Sequence, residues 1–243
     1  IRREWMEFWD FQPEMASIPA FSQQCQKLLP DSMDFLFHAF NDSFTSMDTY
    51  RGYRLFACDG SDLAIAHNPE DKDTLRRHNS LKLNQKGYNH LHLNALYDLK
   101  NRIYTDVIIQ SGRYPNETGA LIDMIQRSKV QEPVLLITDR GYESYNVLTH
   151  AQEKGWKFLI RAKDLGSRGI LTHLPISDYG TFDRTLSLIL TNRRKHNGMY
   201  HYKFRGRCVS YGRNQKTLWL EMDYRGLVPK VEIYDWVEQL SCL

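Results

Sequence analysis

The chain has 243 residues, 42% hydrophobic and 25% charged, with a formal net charge of +3 at pH 7. That is ordinary globular usage, long enough to bury a core, and the charge is too small to single out a nucleic-acid binder by itself. No apolar run approaches the roughly 18 residues of a membrane helix, and Cys25, Cys58, Cys208 and Cys242 lie far apart, which excludes a zinc knuckle or a dense disulfide framework.

The chain opens on Ile1-Arg2-Arg3 and continues with charge and aromatics, unlike a secretory leader, so a fragment working in a reducing cytoplasm is expected. Residues 5–44 mix aromatics with helix-compatible stretches; Ser32 and Asp34 lead into Phe35, Leu36, Phe37, Ala39 and Phe40, which predicts a helical segment over 1–48. Next, Tyr53 to Asp59 reads as a strand ending in an acid, with Gly60-Ser61 as its turn. Residues 68–84 are polar without a period and read as loop. His90 to Tyr97 places Leu91, Leu93 and Ala95 on one face; with Asp98 to Arg102 as the connection and Ile103 to Ile109 returning, it forms an antiparallel hairpin. On the opposite face His90 and His92 alternate at a spacing that can bind metal, and without a third ligand nearby they are read as exposed polar residues.

Asn116 is a good N-cap, and Ala120, Leu121, Met124 and Ile125 recur at helical spacing behind it. Pro133 to Asp139 is a continuous apolar run ending in a second acid, the pattern of a strand buried on both faces. Ser144 caps a helix to about Glu153 that Gly155 stops, and Trp156 to Arg161 forms another strand. Beyond Asp164 the pattern loosens: Thr185 to Leu190 and Tyr200 to Phe204 read as strands, and Lys230 to Leu240 as a final helix. The order of strand, hairpin, helix, strand, helix, strand is that of an α/β, ribonuclease-H-like mixed sheet with flanking helices. A core over 49–194 and an irregular, β-containing tail over 195–243 are therefore expected.

Phosphodiester cleavage needs an activated nucleophilic oxygen and a stabilised leaving oxygen, and two carboxylate-held divalent ions supply both. Asp59 and Asp139, 80 residues apart, meet in space only if their strands are neighbours in one sheet. An Asp beside a Gly is most often a turn or cap residue; two such acids at matching strand ends form a stronger pattern.

Asp139-Arg140-Gly141-Tyr142 resembles the D-x-G-x-[YF] signature around the second acid of DDE transposases from bacterial insertion sequences, the IS-four-like group. Ala57-Cys58-Asp59 resembles that group's first acid, His92 to Asp98 its hairpin, and Leu159-Ile160-Arg161-Ala162-Lys163 the basic strand after the second acid. The resemblance runs from near Ile1 to about Arg194. It implies Mg²⁺ or Mn²⁺ held by Asp59 and Asp139, with Arg161 and Lys163 against the DNA backbone. It further implies double-stranded DNA as partner, both transposon ends and target, a homodimer on paired ends, no membrane, and a bacterial, nucleoid-associated setting.

The family's third acid lies in a Y-x2-R-x3-E-x6-K pattern, and that spacing does not occur in this chain. A truncated or frameshifted copy with impaired strand transfer is the expectation, with Glu238 the least poor substitute and a surface glutamate its simpler reading. Two rivals follow: a non-catalytic DNA-binding remnant, and a haloacid-dehalogenase-like phosphatase starting from Asp59, whose parallel fold the antiparallel hairpin opposes.

Overall fold

The computed structural model describes residues 2–12, 16–29, 31–44, 47–76, 86–163, 169–171, 182–191, 201–210 and 218–221, the last three stretches as backbone alone. The chain divides into two compact units, Ile1–Ser46 and Met47–Leu243.

In the first unit, where a helical segment is expected, three helices occur: α1 (Arg2–Phe8), α2 (Ile18–Cys25) and α3 (Ser32–Asp42). Ser17 starts α2 by accepting the Ala20 N–H at 3.3 Å, and Pro19 sits in the first turn, where its missing N–H costs nothing. Trp5 ties α1 to α2, its ring centroid 4.1 Å from that of Phe21 and its indole N–H donating to the Ala16 carbonyl at 2.8 Å. No residue of α2 or α3 is buried.

The second unit is built on one mixed sheet. Its strands are β1 (Arg54–Ile65), β2 (Leu75–Arg76), β3 (Tyr88–Asp98), β4 (Ile103–Ser111), β5 (Val134–Thr138), β6 (Lys157–Ala162), β7 (Phe182–Thr191), β8 (His201–Ser210) and β9 (Leu218–Glu221). The order is β2-β3-β1-β5-β6-β9-β8-β7, with β4 also on β3. Strands β1, β5 and β6 run parallel, while β3 is antiparallel to β1 and to β4. The sheet continues across residue 194, because β7 and β8 pair with each other and β9 joins β8 to β6.

Among the described residues two helices pack on the sheet. Asn116 caps α4 (Glu117–Arg127) by accepting the Gly119 N–H at 3.0 Å, and Ser144 caps α5 (Tyr145–Glu153) by accepting the Asn146 N–H at 3.3 Å. Ala120, Leu121, Met124 and Ile125 of α4 are fully buried, and the last three join Phe56, Leu136, Phe158, Val147 and Leu148 in one core. All five residues of β5 are buried, as its apolar run predicts. A buried ion pair closes the hairpin end: the Arg54 guanidinium donates to Asp98 Oδ2 at 2.8 Å, and Asp98 Oδ1 accepts the N–H groups of Lys100 and Asn101.

Three local expectations change. Gly60-Ser61 is not a turn, since β1 continues to Ile65 with its antiparallel ladder to β3 unbroken as far as Asn89; pairing outweighs the turn preference of Gly and Ser. Within the expected loop 68–84, Leu75 and Arg76 pair with β3, and 77–85 lie outside the described residues. On β3 the expected faces are inverted: His90, His92, Asn94, Leu96 and Asp98 are buried, while Leu91, Leu93, Ala95 and Tyr97 are only half-buried. The expected final helix over Lys230 to Leu240, and Glu238, lie outside the described residues.

Candidate active site

Backbone register brings the two aspartates together. Leu55, Ala57 and Cys58 of β1 face Leu135, Ile137 and Thr138 of β5 in a parallel ladder. Asp59 and Asp139 follow one residue later, on neighbouring strands at the same height. There β5 ends and β1 continues, so both acids sit at the carboxyl end of the parallel pair, exposed, where a ligand can reach them. Asp59 Oδ1 accepts the Gly60 N–H at 2.8 Å. Asp139 Oδ1 accepts the Gly141 N–H at 2.7 Å and so caps the single 3-10 turn Arg140–Tyr142. Partial burial holds the Asp59 carboxyl above the usual carboxylate range; the Gly60 N–H and the charge of His92 oppose this, and the charge of Asp139 adds to it. Beside Asp59 the sheet face is a shallow depression lined by Ala57, Ser61, Leu93, Ala95, Tyr97 and Tyr104.

The basic pair extends the same row. Thr138 pairs with Ile160, so Arg161 lies one step on, beside the level of Asp139, and Lys163 two residues further. Both are partly exposed. The Lys163 backbone is fixed by Glu143, whose carboxylate accepts the N–H groups of Lys163 and Ile170, each at 2.5 Å. Nothing local marks this role, because Glu143 sits in a loop without periodicity and only the fold brings it to the end of β6.

On the α4 side of the sheet lies a polar group that reading the strand by alternation places in water. His90 and His92 are 2% and 5% exposed, not surface residues, because α4 covers this face. His92 Nδ1 meets Asp62 Oδ1 at 2.8 Å, and its Nε2 lies 3.2 Å from Glu117 Oε1. His90 Nε2 is 3.7 Å from Asp62 Oδ2. The His92 contact holds the Asp62 carboxyl below the usual range. Directly after Phe56 and Ala57, the Cys58 thiol is pushed up to about 12 by burial and is a core group, not a nucleophile.

A family model described as the transposase DDE domain matches residues 50–218. The chain belongs to this family. No curated protein matches it. Among solved structures, the piggyBac transposase synaptic complex with hairpin DNA is similar at 10% identity and a TM-score of 0.43, covering 73% of this chain and 35% of that one. This DDE-domain chain therefore spans about a third of the solved relative's length. Among its described residues no helix is long and apolar enough to cross a membrane.

Members of this transposase family typically use a divalent metal, and the residues present fit one chemically. Asp59 and Asp139 offer hard carboxylate oxygens, the donor type that Mg²⁺ and Mn²⁺ take. Their like charges also raise the cost of ionising Asp59, a cost that a bound cation removes.

Proposed function

We propose that this DDE-domain chain is a transposase fragment for metal-dependent cleavage and strand transfer of transposon-end DNA, as in the IS-four-like insertion-sequence group, impaired by the missing third acid. One observation carries the reading: two aspartates, 80 residues apart in sequence, follow paired positions on adjacent parallel strands. The order β4-β3-β1-β5-β6, with β3 antiparallel, supports a ribonuclease-H-like core, preceded by a helical segment over about 1–48. The same antiparallel hairpin counts against a parallel phosphatase fold.

In this reading Asp59 and Asp139 would hold Mg²⁺ or Mn²⁺. The metal would activate a water or a 3′ hydroxyl and stabilise the leaving oxygen of the phosphodiester. Arg161, level with Asp139, would meet the phosphates of double-stranded DNA, and Lys163, its backbone clamped by Glu143, would do the same one step along the strand; such contacts set register without reading sequence. Paired DNA ends would call for two copies of the chain, acting at the bacterial nucleoid.

The test is cleavage of transposon-end DNA with Mg²⁺ or Mn²⁺. Weak cleavage by the wild-type chain that Asp59→Asn and Asp139→Asn each abolish is the expected result, and robust Asp59-dependent activity would overturn the impairment. A non-catalytic remnant predicts instead that DNA binds, nothing is cut, and neither metal raises the melting temperature, since a ligand that binds only the folded state must stabilise it.

A further inference from the structure

We propose that Glu143 is a positioning residue for DNA binding: its buried carboxylate fixes the root of Lys163 so that the ammonium meets a backbone phosphate, while Glu143 touches no DNA itself. This rests on the phosphate-contact reading of Lys163 given above.

A carboxylate is a poor neighbour for DNA, since it repels the phosphates that a lysine attracts. Glu143 nevertheless follows directly on the turn Arg140–Tyr142 that Asp139 caps, and it meets the end of the strand that carries Arg161. The conflict is resolved by where its charge is directed. The side chain is 9% exposed, and among the described residues both oxygens accept from backbone donors, Oε2 from the Lys163 N–H and Oε1 from the Ile170 N–H, each at 2.5 Å. Hydrogen bonds to an ionised acceptor are roughly twice as strong as neutral ones, so one inward-facing carboxylate pins two separate stretches of chain.

One of those stretches is anchored independently. The Tyr145 hydroxyl donates to the Ile170 carbonyl at 2.9 Å, and the next residue, Leu171, is 1% exposed in the core. Lys163, by contrast, lies just past Ala162, the last residue of β6, and Glu143 ties it to the anchored side. Gly169 shows how closely the pieces are pressed together. A Cβ there would lie 2.6 Å from Glu143 Oε1 and 3.0 Å from the Lys163 Cβ, so only a residue without a side chain fits between the carboxylate and the lysine root.

A glutamate that only closes a loop is the plainer account, and it differs in what it does to DNA. Arg161 and Lys163 flank the buried Ala162, so strand alternation puts them on one face. Phosphate contacts set the register of a protein on the duplex, and a second cation adds to the first only if the separation between them is held. Loop closure alone predicts a lower melting temperature with DNA binding unchanged, or tighter once an acid is removed. Positioning predicts weaker binding.

The experiment measures binding of the full chain to a labelled duplex of mixed sequence by fluorescence anisotropy, over a series of KCl concentrations in metal-free buffer so that no strand is cut. Lys163→Ala is expected to weaken binding about fivefold at about 0.1 M salt and to lower the slope of log affinity against log salt by about 1, the loss of one phosphate contact. Glu143→Gln keeps the shape but offers one acceptor in place of two, and should do nearly the same. The double variant should bind no more weakly than Lys163→Ala alone, because Glu143 acts through that lysine. Gly169→Ala, which crowds the carboxylate, should move both readings in the same direction, and the exposed Glu132→Gln should move neither. Melting by circular dichroism shows that each variant is folded; should Glu143→Gln not fold, Glu143→Asp and Gly169→Ala carry the test. Unchanged or tighter binding by the folded variants, or losses that add in the double variant, overturns this proposal and leaves the Lys163 contact standing. No effect of Lys163→Ala, or no binding by the wild type, overturns that contact and the proposal with it.

Discussion

The two faces of β3 carry the opposite of what their residues prefer. His90, His92, Asn94 and Asp98 point into the protein, whereas Leu91, Leu93, Ala95 and Tyr97 are left half-buried toward Asp59. Alternation along a strand tells which residues share a face, but which face becomes interior depends on which one a helix covers, and here α4 covers the polar one. The interior then has to satisfy those polar groups. Asp98 does so with Arg54, His92 with Asp62 and Glu117, while Asn94 has only a 3.3 Å contact to Gln110 and its Oδ1 has no partner.

The contrast can be broken in several ways, the most severe first. Asp98→Ala strips the partner from a guanidinium that is 6% exposed and should cost about 3–5 kcal/mol in urea unfolding, the range for a buried charge left unpaired. Leu96 and Leu93 sit on opposite faces of the same strand, so truncating each to Ala compares the faces directly. Leu96→Ala should cost about 3 kcal/mol and Leu93→Ala about 1 kcal/mol or less, because only the first leaves a cavity in the core. Equal costs would mean that the Leu93 face is covered in solution.

Smaller effects concern charge. Since the Asp59 carboxyl lies above the usual range, the folded state holds its proton more tightly than the unfolded chain, and stability falls as pH rises through that window. Asp59→Asn should therefore melt about 1–2 °C higher than the wild type at neutral pH without metal, and the difference should vanish at a pH low enough to protonate Asp59 in both states. Asp62 has the opposite sign. Its carboxyl is held low by His92, so its contribution is complete above the ordinary carboxylate range and is lost as pH falls through the depressed value. An Asp62→Asn variant should lack that acid limb, and with Asp62 half exposed the gap should be the smallest of those named here.

Much of the fold is legible in the sequence wherever one local rule settles the matter. Asn116 and Ser144 announce their helices because only a side-chain acceptor relieves the first N–H groups, and residues 134–138 show as a buried strand because nothing in them tolerates water. The hairpin of β3 and β4 is visible from its turn. Gly60-Ser61 misleads because a ladder to Asn94 and Leu93, distant in the chain, outweighs local turn preference, and the histidines of β3 mislead because the covering helix comes later in the chain. At the candidate site Asp59 and Asp139 stand out as acids closing apolar runs. Glu143 does not, since it reads as an ordinary polar residue in a loop until the fold places its neighbours.

Asp139 also decides which substitution can serve as a blank. Its carboxylate is the N-terminal cap of the turn Arg140–Tyr142, and Tyr142 is 1% exposed in the core. Alanine there removes a negative charge and unseats an aromatic anchor at once, so a dead Asp139→Ala protein says nothing about chemistry. Asparagine keeps an oxygen for the Gly141 N–H and discards only the charge, which makes it the informative silence.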